Sequence, residues 1–120
     1  MEFDLALPEG CPRADVGEYA GIAFRVVQSD PPTVADLQTY LELNRLPTAD
    51  MCKRGSVSLF ASFEQAEHLL AVSPRIGKFI ACMTMTSAHG RVGKPSRSGH
   101  IDWWPYFGMR RPADLTVIRK

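Results

Sequence analysis

Residues 55–85, GSVSLFASFEQAEHLLAVSPRIGKFIACMTM, decide the fold class, because pattern, capping and turn chemistry agree along the whole stretch. Val57 and Leu59 alternate with Ser56, Ser58 and Phe60, the period-two pattern of a strand with one buried face. Ser62 then offers an N-cap, with Gln65 at the reciprocal capping-box position and Glu64 near the positive end of the helix dipole. Phe63, Ala66, Leu69 and Leu70 give that helix an apolar stripe. Pro74 forbids its continuation and Gly77 lets the chain turn back. KFIACMTM, residues 78–85, is the nearly unbroken apolar run expected of a strand buried on both faces. The stretch reads strand, helix, strand.

Upstream, YAGIAFRVV at residues 19–27 predicts another strand. Alternation sets Ile22, Phe24 and Val26 on its core face and leaves Gly21, Ala23 and Arg25 on a spare face. A guanidinium beside two minimal side chains suits an anion pocket, since Arg presents a planar fork to carboxylate or phosphate. A salt-bridged structural Arg explains the same pattern. Thr33 with Asp36 resembles a capping box, and Val34, Leu37, Tyr40 and Leu41 share a helical face, so a second helix is expected up to Asn44 and Pro47. Residues 45–54 read as a polar loop ending in the basic pair Lys53-Arg54.

Downstream, residues 86–99 are rich in Gly, Ser and basic side chains and predict an exposed basic loop, with a brief strand near residues 91–93. GHIDWW, residues 99–104, reads as a strand with His100, Asp102 and Trp104 on one face and Ile101 and Trp103 on the other. A terminal strand is expected at residues 115–118. Residues 1–18, punctuated by Pro8, Gly10, Pro12 and Gly17, form an irregular N-terminal arm. The fold class is α+β: a single compact domain over residues 1–120, with a mixed or antiparallel sheet and two main helices.

With 45% hydrophobic and 22% charged residues, the chain can bury one core without staples. No signal-peptide pattern and no membrane-length apolar run is present, which points to a cytoplasmic protein without a membrane partner. Cys11, Cys52 and Cys82 are odd in number and share no close spacing, which argues against a disulfide framework or a zinc motif and for a reducing compartment. Residues 1–90 carry seven Lys/Arg against eleven Asp/Glu and residues 91–120 seven against two, so the two parts differ by sign, −4 and +5. A basic C-terminal region permits an anionic or protein partner, and nucleic acid is not excluded.

The residues also carry a family resemblance. An early strand with Arg25, a strand with Ser56 and Ser58 in SVSLFAS, then SFEQAEHLL and GKFIACMTM, resemble the arginine-serine-glutamate branch of the ADP-ribosyltransferase-like fold, also similar to small bacterial proteins with this strand-helix pattern. The resemblance implies that Arg25 holds a nicotinamide dinucleotide (NAD) and that Ser56 and Ser58 brace the site. It also implies a late Glu for the transition state, but no Glu follows residue 67, leaving Asp102 or Asp114 to substitute, or His100 with Asp102 to form a variant site. Trp104, on the His100 face, would stack on a base or nicotinamide ring. With the Glu missing, an inert interaction module of a toxin-antitoxin, phage or defence system, acting through Arg110 and Arg111, is the alternative. Ser58, His100 and Asp102 supply the residue types of a hydrolase triad, but no nucleophile elbow surrounds Ser58. No metal is expected.

Overall fold

Strand β1 (Gly21–Val27) is where the sheet divides. The structure, a computed structural model, describes residues 2–13, 16, 19–45 and 50–118. On one side β1 pairs antiparallel with β3 (Phe79–Met85) along its whole length, from Gly21↔Met85 to Val27↔Phe79. On the other it meets β2 (Val57–Phe60) antiparallel at the single register Phe24↔Phe60. Beyond that point the two strands part.

The remaining strands complete an antiparallel six-stranded sheet in the order β4-β5-β2-β1-β3-β6, with β4 at Gly90–Val92, β5 at His100–Pro105 and β6 at Thr116–Val117. The expected class is therefore present, and of the two sheet types it is the antiparallel one.

The two α-helices among the described residues are α1 (Met51–Arg54) and α2 (Phe63–Val72). Ser62 caps α2 by accepting from the Gln65 N–H, as its position in the sequence predicts. Phe63 packs edge-on against Phe24 of β1, so α2 covers the Phe24 face of the sheet. Gly77 follows because a Cβ there would lie 2.4 Å from Val26 and 2.8 Å from the Val27 carbonyl oxygen. Only glycine lets the chain run close enough for the Lys78 N–H to donate to that carbonyl.

The core lies on the opposite face. Ala23, Val27, Val57, Leu59, Ala81, Met83, Ile101 and Trp103 pack there with Leu37, and Trp103 is fully buried. This reverses the expected faces of β1: Ala23 is fully buried whereas Ile22 is 53% exposed. The small residues on Arg25's side mark a tightly packed core face, not a spare one.

Three further expectations need correction. The helix anticipated after Thr33 is only a 3-10 turn, Val34–Leu37. Thr33 and Asp36 do form the capping box, but Asp36 also accepts from the Gln28 N–H, which ties the turn to the end of β1. Val34 is 72% exposed and only Leu37 is core, so the apolar spacing there had no core to face. Residues 45–54 are not all loop, because Asp50 caps α1; Pro47 lies outside the described residues. Residues 86–99 are exposed at 86–88 and 94–98 but not between, since His89, Gly90 and Val92 are buried against β5, and Gly99 is buried too.

The cysteines also depart from expectation. Cys11 and Cys52 form a disulfide across a sequence separation of 41. The N-terminal arm folds back over α1, where Leu7 abuts Gly55, so distance along the chain concealed proximity in space. The inference of a reducing compartment, drawn from cysteine spacing, loses its ground. Cys82 is free and half-buried.

Candidate functional site

Where β1 and β2 part, the ladder loses its hydrogen bonds and Arg25 takes their place. Its Nε donates to the Asp36 carbonyl at 2.5 Å, one terminal nitrogen to the Ser58 carbonyl at 2.6 Å and the other to the Gln38 carbonyl at 3.5 Å. No carboxylate pairs with it among the described residues. Burial therefore pushes its pKa down to about 10, against the smaller opposing influence of Tyr40 and Asp36. Arg25 remains charged at neutral pH, and its three hydrogen bonds use three of the five guanidinium N–H groups.

The same parting opens a cavity of about 790 Å³. Arg25, Ser56, Ser58 and Phe60 form its floor, the segment from Ala35 to Arg45 one wall, and Leu69, Ser73, Arg75 and Ile76 the other. Tyr40 and Phe60 supply aromatic surface. The guanidinium groups of Arg45 and Arg75 have no hydrogen-bond or ion-pair partner among the described residues. A concave site with a few convergent polar groups and a perturbed ionisable residue is the usual form of a ligand pocket.

Strand register assembles the next group. Ser58 lies opposite Asp102, and Phe60 opposite His100, on neighbouring strands and on one face. The Ser58 hydroxyl and His100 Nε2 are in hydrogen-bond contact. His100 Nδ1 lies 3.7 Å from Asp102 Oδ1, and that oxygen accepts from the Ser56 hydroxyl at 3.3 Å. Desolvation lowers the His100 pKa from the ordinary imidazole value; Asp102 opposes the shift and the nearby Lys53 ammonium adds to it. At neutral pH the ring beside the Ser58 hydroxyl is therefore mainly neutral.

Asp102 also lines a second cavity, of about 510 Å³, together with Trp104, Lys53 and the Cys11–Cys52 disulfide. The hydrogen-bonded group Ser56, Ser58, His100 and Asp102 is thus a partition with a cavity on either side.

Of the residues singled out in the sequence, Arg25, Ser56, Ser58, His100 and Asp102 come together. Only Arg25, Ser56 and Ser58 of these line the first cavity; Trp104 is 6% exposed, gives its indole N–H to the Cys52 carbonyl, and lines the second with Asp102. Asp114 is elsewhere, paired with Arg111 and near His89. Tyr40, Arg45 and Arg75 escaped the sequence reading because nothing in a linear pattern marks which loop side chains meet across a gap.

Two of the basic C-terminal side chains are ion-paired within the molecule. Arg110 bonds Asp4, Glu42 and the Leu37 carbonyl, and Arg111 bonds Asp114. Among the described residues no group of three or more His, Cys, Asp or Glu side chains could hold a metal ion. Nor is any described helix long and apolar enough to cross a membrane.

No protein-family model, curated protein or solved structure gives a significant match to the chain.

Proposed function

We propose that the larger cavity binds a nicotinamide dinucleotide or related nucleotide in the manner of an ADP-ribosyltransferase-like domain. The observation that carries this reading is the convergence of Arg25, Ser58 and His100: Arg25 donates to the Ser58 carbonyl while the Ser58 hydroxyl contacts His100. These residues come from an early, a middle and a late strand, the three positions that the family resemblance makes functional.

The cavity suits the ligand in size and chemistry. About 790 Å³ lies within the range of nucleotide-sized pockets. Arg45 and Arg75 are unengaged cations for a pyrophosphate, and Tyr40 and Phe60 are ring-stacking surfaces. Transfer of ADP-ribose would break the glycosidic bond to nicotinamide. His100, in contact with the Ser58 hydroxyl, would stand where the family uses Glu, with Asp102, which lines the second cavity, acting through the imidazole.

Thermal unfolding with added NAD tests the proposal. A ligand at a hundred times its Kd stabilises by about 2.7 kcal/mol, a rise of several degrees for a domain of this size. Arg45→Glu with Arg75→Glu should remove that rise without lowering the ligand-free Tm. A wild-type protein whose Tm is unmoved by millimolar NAD, ADP-ribose or AMP would sink the reading.

A further inference from the structure

The Ser58–His100 contact has a chemical meaning that does not depend on which ligand fills the cavity. We infer that Ser58 is a covalent nucleophile for acyl esters, with His100 as its general base and Asp102 as the residue that positions and polarises the base. Four observations carry this.

First, the hydroxyl and the imidazole Nε2 are in direct contact, the first requirement for an activated serine. Second, Asp102 lies on the other ring nitrogen. At 3.7 Å it acts through its charge and favours the tautomer with the proton on Nδ1, which leaves Nε2 free to accept. Asp102 Oδ1 also lies 3.3 Å from the Ser56 hydroxyl, whose single proton is shared with the Lys53 carbonyl at 2.7 Å.

Third, Ser58 opens onto the large cavity, so an ester has room to approach. Fourth, Arg25 bonds the Ser58 backbone and keeps two N–H groups without an acceptor among the described residues. From the core face, opposite the hydroxyl, it fixes the backbone that carries the nucleophile. The constellation is recognised by geometry and role, and a mid-strand serine satisfies both without an elbow.

The step balances without a cofactor. Ser58 Oγ attacks the acyl carbon while its proton passes to His100 Nε2, and the carbonyl electron pair moves to oxygen. The tetrahedral species collapses, the ester C–O bond breaks, and the departing alkoxide takes the proton from His100. Water then repeats the sequence on the Ser58 ester, so ester plus water gives carboxylic acid plus alcohol.

The charged groups acting on His100 are Asp102 on its own strand and Lys53 from α1; the Phe60 ring packs edge-on against it from β2.

The test is labelling of the intact, disulfide-bonded protein with an alkyl fluorophosphonate, followed by peptide mass spectrometry. One adduct is expected, on Ser58, and Ser58→Ala should abolish both it and the hydrolysis of p-nitrophenyl acetate. His100→Gln should slow labelling by about 100-fold or more. For wild type, the rate should fall on acidification with a midpoint below 6.5. Asp102→Asn should move that midpoint to still lower pH, because the charge that favours the imidazolium is gone; a merely structural role would leave it in place. A folded wild type with no adduct on Ser58, or a folded His100→Gln variant labelled at the wild-type rate, overturns the inference. The outcome is separate from that of NAD binding, which is read by Tm alone.

Discussion

Arg25→Ala should destabilise the fold itself, quite apart from any ligand. The guanidinium joins three segments that have no other ladder between them: β1, the 3-10 turn with its Gln38 end, and the splayed part of β2. Two of its bonds are short and made by a charged donor, each contributing roughly 1.5 kcal/mol, and the third, at 3.5 Å, contributes little. The gross loss is then about 3 kcal/mol. Against it stands the relief of a desolvated charge, since burial lowers the Arg25 pKa to about 10 and the nearby Tyr40 and Asp36 offset this only in part. Water from the adjoining cavity can also reach the freed carbonyls. We expect a net cost of about 2 kcal/mol. In urea, with a slope near 1.5 kcal/mol per molar, the unfolding midpoint should fall by roughly 1 M. A midpoint within about 0.2 M of wild type, at unchanged slope, would refute the reasoning. It would show that the three carbonyls do not need the guanidinium.

Cys11→Ser, or reduction by a dithiol, frees a loop of sequence separation 41 and should lower stability by at most about 4 kcal/mol on chain-entropy grounds; a urea midpoint indifferent to reductant would count against the bridge. His100 has a folded pKa below its unfolded value, an effect of desolvation first, opposed by Asp102 and aided by Lys53. Its neutral form therefore contributes full stability above pH 6.5, and stability declines as pH falls from 6.5 toward the depressed folded value. Urea midpoints measured from pH 8 to pH 5 should show this decline, and His100→Asn should flatten it. Gly90→Ala should cost about 2–4 kcal/mol, because φ is +146° and a Cβ would lie 2.2 Å from the Trp104 carbonyl oxygen; a Tm within two degrees of wild type would contradict that packing.

The readable parts of this chain were those where one local signal sufficed. Ser62 and Gln65 announced α2, and the alternation in GHIDWW put His100 and Asp102 on one face, as β5 has them. Val57 and Leu59 were correctly inward and Ser56 and Ser58 outward. The errors arose where tertiary context decides. Thr33 and Asp36 do make a capping box, but the Gln28 N–H also bonds Asp36, and Gln38 is already extended. The face of Arg25 was misjudged because small residues fit a close-packed core as readily as they fit an open pocket. The parting of β1 from β2 has no sequence signature at all. It is what brings a core-face Arg into contact with the backbone of a serine whose side chain points the other way.

That parting has a mechanical consequence. The sheet consists of two three-stranded leaves, β4-β5-β2 and β1-β3-β6, joined through one paired register, Phe24↔Phe60, with Arg25 as a removable pin beyond it. Bending stiffness along this seam is set by a side chain, whereas each leaf is stiffened by continuous backbone pairing. A molecule wedged into the opening would change the angle between leaves before it deformed either of them. Amide exchange should register this as fast, ligand-sensitive protons at residues 25–28 and 56–58, between slow ones in β3 and β5.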